Sequence, residues 1–323
     1  MAIVTYRSAG LAIESLRSVA AERHAAGLAI RTVVVDNASG DFPQIARAVE
    51  ESGWGSWVTT VLAPRNGGFA NGNNVAIRHA VKCEPVDYVY LLNPDTQIRP
   101  GAIGALVRFL ESRPHIGIAG SSFENADGSE WPIAFRFPSL ISELSQALGL
   151  GPVMRLLDRW SVARQMSQGE PQQVDWICGA SMMIRSSVFD AIGGLDEAYF
   201  LYFEETDFCL RARRAGFATW YVPESRVMHV GGQSTGVTER NTAPKRLPAY
   251  WFESRRRYFT KAFGMRRAMA IDLIVLAAYP LGWLKRLALR QRSRSVPRYY
   301  RDLVHNSVLR ARNRRSSDGT HAV

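Results

Sequence analysis

Three carboxylates lie within four residues of one another in segment 193–214, which reads GGLDEAYFLYFEETDFCLRARR. They belong to Glu204, Glu205 and Asp207. Because neighbouring carboxylates repel one another, such crowding costs stability unless a cation or a chemical task offsets it. The cluster therefore indicates either an active site that handles protons or positive charge, or an exposed acidic helix turn answered by the arginines that follow it.

Two further carboxylates follow predicted buried strands. Asp36 ends the run VVVD, and Asp95 follows the strand predicted over Tyr88–Leu92. Asp36 could accept hydrogen bonds from a nucleobase or ribose, or it could cap a turn. Asp95 offers a hard oxygen ligand for Mg²⁺ or Mn²⁺ that also binds a diphosphate. His229 could be a second ligand, although a single histidine in an apolar run also suits a hydrogen-bonded core residue.

A glycine- and asparagine-rich segment, NGGFANGNN at 66–74, leads into a helix predicted over 73–82. Paired glycines let backbone approach a ligand, and a helix N-terminus offers unpaired N–H groups to a phosphate. The spacing fits neither the Walker loop nor the dinucleotide-binding GxGxxG motif. A glycine turn with an asparagine cap is the alternative interpretation.

Strand and helix patterns alternate through the first 120 residues. Apolar or β-branched runs at 2–5 and 31–35 predict strands, and the spacing over 9–26 predicts a helix. This alternation predicts an α/β fold built from parallel βαβ units. Because ligands bind beyond the carboxyl ends of such strands, we expect Asp36 and Asp95 at a common edge of the sheet.

The pattern changes in the second half of the chain. It loosens over 121–173, where we expect a variable loop and helix region that contacts an acceptor. A strand-like run returns at 175–185, and helical spacing covers 204–215. Two short strands are predicted at 219–222 and 226–229.

The positive charge is concentrated at the C-terminus. The 323 residues carry a net charge of +11, and segment 285–315 holds eleven Lys and Arg residues against a single acid, Asp302. The rest of the chain is nearly neutral, so the charge describes a tail rather than the chemical body. We therefore predict a catalytic domain over 1–240 and a helical, basic extension over 241–323.

An apolar stretch at 269–284 precedes this basic tail. It carries Asp272 and Pro280 and is shorter than the roughly 20 apolar residues that a spanning helix needs. Because Lys285 and Arg286 follow it, we expect an amphipathic element on a membrane surface. A core helix with a solvated basic end is the alternative.

Together these segments resemble the family 2 glycosyltransferases of GT-A fold, and within them the rhamnosyltransferase-like group. The resemblance covers about residues 1–263. It rests on IVTY (3–6), VVVDNAS (33–39), NGGFANGNN (66–74), LLNPDT (91–96), DWICGASMMIR (175–185), GGLDEAYFLYFEETDFCLRARRAG (193–216) and HVGGQST (229–235). It implies a GT-A, mostly parallel central sheet flanked by helices.

The resemblance also implies inverting transfer of a sugar from a nucleotide-diphosphate donor. Asp95 and His229 would bind the divalent metal, Mg²⁺ or Mn²⁺. The residues implied in nucleotide and donor binding are Thr5, Tyr6, Asp36, Asn66, Gly67, Gly68, Asn73, Asn93 and Asp95.

On the acceptor side, the resemblance assigns Trp176, Gly179 and Ala180 to acceptor binding. It makes Glu205 the base that deprotonates the acceptor hydroxyl, with Glu204 and Asp207 orienting or supporting it. The usual acceptor-side motif, Glu-Asp-x-Asp, reads Glu-Glu-Thr-Asp here, so the base is one methylene longer. The usual Asp-x-Asp metal motif reads Asn-Pro-Asp here, so metal affinity would depend on one carboxylate, the diphosphate and a histidine.

The resemblance implies a place in cell-envelope glycan synthesis, with a dTDP- or UDP-linked donor, rhamnose as the leading sugar, and a glycolipid or polysaccharide acceptor. We expect a peripheral protein on the cytoplasmic face of the cell membrane, with the basic tail on anionic lipid. Three cysteines without metal-type or paired spacing favour a reducing compartment.

Two rival functions are weaker. A nucleic-acid-binding protein would use the Arg-rich tail, but that tail carries no recognised binding motif. A sugar nucleotidyltransferase would have similar sheet architecture, but the chain lacks the Gly- and Lys/Arg-rich loop expected near its first strand.

Overall fold

The structure is a computed structural model. It describes residues 1–83, 85–125, 127–131, 133–148, 162–166, 169–229, 245–289 and 296–310.

The chain divides into two compact units. One comprises Met1–Phe137 and Val162–Arg240. The other comprises Pro138–Ser161 and Asn241–Val323. Pro138–Ser161 lies inside the range 1–240 predicted for the catalytic domain, but it groups with the C-terminal elements because its helix packs against their longest helix.

Strands of the first unit build a mixed sheet and a two-stranded ribbon. In chain order they are β1 (Ala2–Thr5), β2 (Thr32–Asp36), β3 (Val58–Leu62), β4 (Tyr88–Leu92), β5 (Thr96–Ile98), β6 (Ile116–Glu124), β7 (Glu130–Trp131), β8 (Ile133–Phe135), β9 (Ala163–Gln165), β10 (Gln172–Val174), β11 (Ser181–Arg185) and β12 (Ala218–His229). The ribbon pairs β8 with β9.

The order of the main sheet is β10-β12-β6-β11-β4-β1-β2-β3, with β5 beside β12 and β7 beside β6. The strands β1, β2, β3, β4, β6 and β12 run in one direction. The strand β11 runs the opposite way between β4 and β6. The predicted α/β fold with a mostly parallel sheet is confirmed.

The helices of the first unit cover both faces of this sheet. They are α1 (Ala9–Ala26), α2 (Phe42–Glu51), α3 (Gly68–Cys83), α4 (Ala102–Glu111), α6 (Ser186–Ile192) and α7 (Glu204–Arg214). Those of the second unit are α5 (Leu140–Leu148), α8 (Ala249–Phe263), α9 (Met265–Ala288) and α10 (Tyr299–Asn306).

The alternation of side chains along the buried strands produces two cores. In β2, Val34 packs on one face of the sheet with Leu16 of α1. Its neighbour Val33 points to the other face and joins Ala76 of α3 and Phe208 of α7. Strands buried on both sides are apolar throughout, which is why β2 and β4 read as continuous hydrophobic runs.

Two element boundaries differ from the prediction for a local reason. The helix α3 begins at Gly68 instead of residue 73. Asn73 is a poor helix former, but its amide donates to Phe69 O at 2.9 Å, so it is satisfied inside the helix. Residues 219–229 form one strand, β12, with irregular pairing between Val222 and Arg226 where Pro223 stands.

A buried ion cluster fixes α9 within the second unit. Arg255 of α8 donates to Asp272 of α9 at 2.7 Å and to Glu143 of α5 at 2.6 and 2.8 Å. All three side chains are buried. Because an unpaired buried charge is costly, these pairs hold the Asp272 face of α9 against α5 and α8.

Candidate active site

Several predicted site residues meet at one edge of the sheet. Thr5 and Asp36 end β1 and β2, and His229 ends β12. Since β11 runs the opposite way, its start lies at the same edge, where Asn93 N donates to Ala180 O at 3.0 Å. The expected position of the site at the carboxyl ends of the parallel strands is therefore found.

Asp95 and His229 form a close pair at this edge. Their Oδ1 and Nε2 atoms are 3.4 Å apart, and β5 brings them together because Thr96 pairs with His229. Both side chains are nearly inaccessible, at 4% and 11%. Neither Asp95 Oδ1 nor His229 Nδ1 has a hydrogen-bond partner among the described residues.

This pair fits a metal that it shares with substrate. A buried carboxylate oxygen without a hydrogen bond is costly unless a cation or ligand meets it. Carboxylate oxygen suits Mg²⁺ and Mn²⁺, imidazole is a common metal ligand, and Mg²⁺ takes one or two carboxylates together with substrate phosphates. No group of three or more His, Cys, Asp or Glu side chains suited to a metal occurs in the described part of the chain. The pair would therefore need oxygens from a diphosphate or water.

Glu204, which is buried, and Glu205, which is half-buried, begin α7 as a pair of neighbouring carboxyl groups. Glu204 is 1% exposed, and its Oε2 has no hydrogen-bond partner within the described ranges. Burial raises the pKa of Glu204 well above 4.5, and the charge of Glu205 adds to this. Burial also raises the pKa of Glu205, but Gly179 N donates to its Oε1 at 3.3 Å and favours the anion. Glu205 therefore ionises first, while Glu204 keeps its proton.

Asp207 has a different environment. Arg211 Nε donates to its Oδ2 at 2.8 Å, and Tyr199 OH to its Oδ1 at 3.4 Å. Arg211 also donates to Ile192 O and Gly194 O, at 2.7 and 2.9 Å. The predicted alternative, an acidic turn answered by arginine, therefore describes Asp207 but not Glu204 and Glu205.

Cys178 lies in the loop 176–180 and was not among the residues predicted for the site. Burial raises the pKa of its thiol to about 12, and Coulombic interaction with the carboxyl groups of Glu205, Asp95 and Glu204 adds to the effect. Hydrogen bonds join both titratable pairs to the loop 176–180, since Gly179 N donates to Glu205 Oε1 at 3.3 Å and Asn93 N, two residues before Asp95, donates to Ala180 O at 3.0 Å. The thiol is protonated at neutral pH and is a poor nucleophile there.

The predicted nucleoside contacts Asp36 and Thr5 are engaged in loop structure. Asp36 accepts hydrogen bonds from Ser39 N and Ser39 Oγ on one oxygen, at 2.9 and 2.6 Å, and from Phe42 N on the other, at 3.0 Å. Thr5 Oγ1 donates to Asp41 Oδ2 at 3.0 Å. This is the turn-capping interpretation of Asp36, and a nucleoside contact stays a prediction.

Tyr6 lies in the loop after β1, with the guanidinium of Arg7 over its ring at 5.2 Å. Its nucleoside contact also stays a prediction.

The glycine-rich segment contacts protein where a phosphate was expected. Gly67 N donates to Asn37 Oδ1 at 3.3 Å, and Gly68 N donates to Asn66 Oδ1 at 3.1 Å. Phe69 N donates to Phe200 O at 2.9 Å. These N–H groups are therefore hydrogen-bonded to protein. The expectation of unpaired N–H groups for a phosphate is corrected at these three positions. No role was predicted for Asn37, which accepts the hydrogen bond from Gly67 N.

The three predicted acceptor residues have unequal access. Trp176 stacks on Phe135 at 4.1 Å, and its indole N–H donates to Arg136 O at 3.0 Å. Ala180 is 1% exposed and packs in an apolar cluster, so its side chain is poorly placed to meet an acceptor. Gly179 contacts Glu205, since a Cβ there would lie 3.1 Å from Glu205 Cγ. The motif residues 230–235 lie outside the described residues.

Glu204→Gln is expected to raise the free energy of unfolding at neutral pH. The unfolded Glu204 loses its proton above about pH 4.5, whereas the folded one keeps it to higher pH. Wild-type stability therefore falls from pH 4.5 up to the folded pKa, by about 1.4 kcal/mol per unit of pKa difference. The glutamine has no proton to lose at these pH values. The higher free energy of unfolding of the variant, measured by urea unfolding, should therefore appear at pH 7.5 and vanish at pH 4. An equal gain at both pH values would contradict the protonated state of Glu204.

Comparison with known proteins places this chain in a family. Residues 1–246 match the family model described as "Glycosyltransferase like family 2". The chain is 38% identical over 152 residues to an N-acetylglucosaminyl-diphospho-decaprenol L-rhamnosyltransferase of Mycobacterium tuberculosis, which is 46% of this chain and 49% of that protein. It is 27% identical over 165 residues to the rhamnosyltransferase WbbL of Escherichia coli, which is 50% of this chain and 60% of that protein.

The chain thus spans about half the length of the curated relatives it matches. Among solved structures, it is similar to the mannosyltransferase PcManGT of Pyrobaculum calidifontis in complex with GDP-Man and Mn²⁺. The TM-score is 0.55 at 16% identity, covering 94% of this chain and 77% of the other, which supports the GT-A fold. Because the family model covers more than three quarters of the sequence, the chain belongs to the glycosyltransferase-like family 2.

Proposed function

We propose that this chain is an inverting glycosyltransferase. It transfers a sugar from a nucleoside-diphosphate donor to an acceptor hydroxyl in cell-envelope glycan synthesis. One observation carries the proposal: two hydrogen bonds bring the Asp95–His229 and Glu204–Glu205 pairs to the loop 176–180. One runs from Gly179 N to Glu205 Oε1, and one from Asn93 N, two residues before Asp95, to Ala180 O. One pair is suited to a cation on the leaving diphosphate, and the other to proton removal from an attacking hydroxyl.

The residues divide the chemistry between them. Asp95 and His229 would hold the divalent metal, which when bound would neutralise the charge that the diphosphate gains on leaving the sugar. Glu205, ionised and oriented by Gly179 N–H, accepts the proton of the acceptor hydroxyl. Glu204 stays protonated, so the buried site carries one negative charge instead of two adjacent ones. In-line attack on the sugar then inverts its configuration without a covalent intermediate.

The relatives support a narrower choice of substrates. Two of them are named rhamnosyltransferases, so rhamnose is the leading donor sugar, linked to dTDP or UDP. The mycobacterial relative is named for a sugar-diphospho-decaprenol, which supports a lipid-linked acceptor here. The rival functions, nucleic-acid binding and nucleotidyl transfer, gain no support from the family.

A donor screen tests the proposal. The full chain is assayed with dTDP-rhamnose, UDP-sugars and GDP-mannose in Mg²⁺ or Mn²⁺, with a polyprenyl-diphosphate glycan as acceptor. We expect metal-dependent release of one nucleoside diphosphate and a longer glycan. If no nucleoside diphosphate binds by calorimetry, the proposal is wrong. Formation of a nucleotide sugar from a sugar phosphate would favour the nucleotidyltransferase.

The second unit supports binding to a membrane surface. The helix α9 is long and apolar enough to cross a membrane, and it is 24 residues where the sequence predicted 16. One face exposes large apolar side chains, at 52–63% of their area: Leu273, Leu281, Trp283, Leu284 and Leu287. The buried side chains of the helix include Asp272, which accepts a hydrogen bond from Arg255 at 2.7 Å. We therefore propose that the helix lies in the plane of the membrane surface, since a spanning helix would separate Asp272 from Arg255 and leave a buried charge unpaired.

Leu281→Glu is expected to weaken binding to vesicles that contain anionic lipid. Leu281 is 60% exposed, so a carboxylate there costs little in the folded protein but opposes entry into the lipid interface. The matched control is Leu62→Glu, at a position 56% exposed on β3 of the first unit. In flotation with phosphatidylglycerol vesicles, Leu62→Glu should float with the vesicles and Leu281→Glu should not. Wild-type protein that resists carbonate extraction would contradict the in-plane arrangement.

A further inference from the structure

The carboxylate of Glu197 is held by one face of α3. Its Oε1 accepts hydrogen bonds from Arg78 Nη1 at 2.9 Å and Asn74 Nδ2 at 3.0 Å, and its Oε2 accepts one from Asn71 Nδ2 at 2.5 Å. Positions 71, 74 and 78 lie on one side of a helix, so three successive turns converge on one carboxylate. Glu197 belongs to the loop 193–203 that leads into α7.

The same helix holds the backbone of this loop at two more points. Asn74 Nδ2 donates to Leu195 O at 2.8 Å, and Leu195 N donates to Asn74 Oδ1 at 3.0 Å. At the start of α3, Phe69 N donates to Phe200 O at 2.9 Å. A Cβ on Gly68 would lie 1.9 Å from that same oxygen, so only glycine permits the contact. The loop is therefore fixed on α3 from residue 195 to residue 200.

The two residues that precede α7 have strained backbone conformations. Tyr202 and Phe203 have φ values of 70° and 68°, in the left-handed region that non-glycine residues rarely adopt. Such conformations are unfavourable for residues with a side chain, so the surrounding structure must hold them there. These two residues immediately precede Glu204 and Glu205, and their conformation sets the direction in which α7 begins.

We propose that Glu197 is a positioning residue for Glu205. The Asn71–Asn74–Arg78 face, here called the α3 clamp, holds Glu197 and thereby keeps the strained Tyr202–Phe203 turn aimed at the loop 176–180. Because α3 begins in the glycine-rich donor motif, the clamp also joins the donor side of the site to its base. The inference rests on the proposed function, in which Glu205 accepts the acceptor proton.

Glu197→Ala tests the clamp in the full chain, and Glu14→Ala serves as the control because Glu14 pairs with Arg17 at the surface. We expect kcat to fall about 10- to 100-fold, the scale of a small misplacement of a reacting group. Nucleoside-diphosphate affinity should change less than twofold. The acid limb of kcat should move to lower pH, because a released Glu205 gains water and its raised pKa relaxes toward 4.5.

Glu197→Gln keeps the size of the side chain and one acceptor oxygen, so it should recover part of kcat and of the wild-type acid limb. A merely structural role would lower the active fraction at every pH and leave the limb in place. Wild-type kcat in Glu197→Ala, or a loss without movement of the limb, overturns the proposal.

Hydrogen exchange separates this inference from the proposed function. In Glu197→Ala, the amides of Phe69 and residues 199–207 should exchange faster, and in Glu14→Ala they should not. If the wild-type protein transfers no sugar from any donor, the proposed function fails while the clamp is still judged by exchange. Unchanged exchange overturns the clamp whatever the activity. Faster exchange with unchanged kcat overturns the positioning role alone.

Discussion

Glu205→Gln is expected to abolish sugar transfer while leaving nucleoside-diphosphate binding largely intact. The amide has nearly the same shape and can still accept the hydrogen bond from Gly179 N, but it cannot take a proton. Removing a general base lowers kcat by roughly 10²- to 10⁴-fold. Steady-state release of nucleoside diphosphate measures the loss, and calorimetry with the diphosphate measures the retained affinity.

Glu205→Asp is the matched variant, since it keeps the carboxylate and shortens it by the one methylene that separates this chain from the usual family motif. We expect it to retain part of the activity. Full turnover in Glu205→Gln would transfer the role of base to Glu204, because Asp207 is already engaged by Arg211. In the wild type, kcat should rise with pH through a value above 4.5, since burial raises the pKa of Glu205.

Asp95→Asn is expected to weaken metal-dependent donor binding. The substitution removes the charge of a 5%-exposed carboxylate whose Oδ1 faces His229 at 3.4 Å. Even changes in groups that only orient metal ligands cost roughly 10- to 100-fold in metal affinity, so loss of a ligand charge should cost at least that. Mn²⁺ titration of nucleoside-diphosphate binding by calorimetry measures the shift.

Asp190→Asn provides the control for this titration, because Asp190 is an exposed carboxylate on α6. It should leave the Mn²⁺ dependence unchanged. Without metal, Asp95→Asn and Asp190→Asn should bind the nucleoside diphosphate equally, since Asp95 acts on it only through the cation. An unchanged metal titration in Asp95→Asn would count against its role as a ligand.

Local sequence patterns were sufficient where local forces decide the structure. The strand Tyr88–Leu92 and the helix Ala9–Ala26 have the predicted bounds, since a β-branched or apolar run and helical spacing each depend on neighbouring residues. The edge that gathers Asp36 and Asp95 followed from strand direction alone. Motif order was also enough to identify the family.

Long-range partners explain what the sequence could not predict. The N–H of Phe69 is satisfied by Phe200, 131 positions later, and no local pattern could show that the glycine-rich segment meets protein there. Asp36 had two chemically equal interpretations, and the contacts with Ser39 and Phe42 support the capping one. The distinction between Asp207 and the Glu204–Glu205 pair depended on the reach of Arg211, which only the folded chain defines.

The contact between Gly68 and Phe200 has a consequence for redesign of this protein. Exchanging the donor motif 66–74 for that of a relative would replace one half of a peptide-to-peptide contact that tolerates no side chain. The loop 193–203 would then lose its contact with α3, even if every donor-contacting residue were chosen well. Chimaeras that aim at a new sugar should therefore exchange 66–78 and 193–207 as one inherited unit, from the same parent.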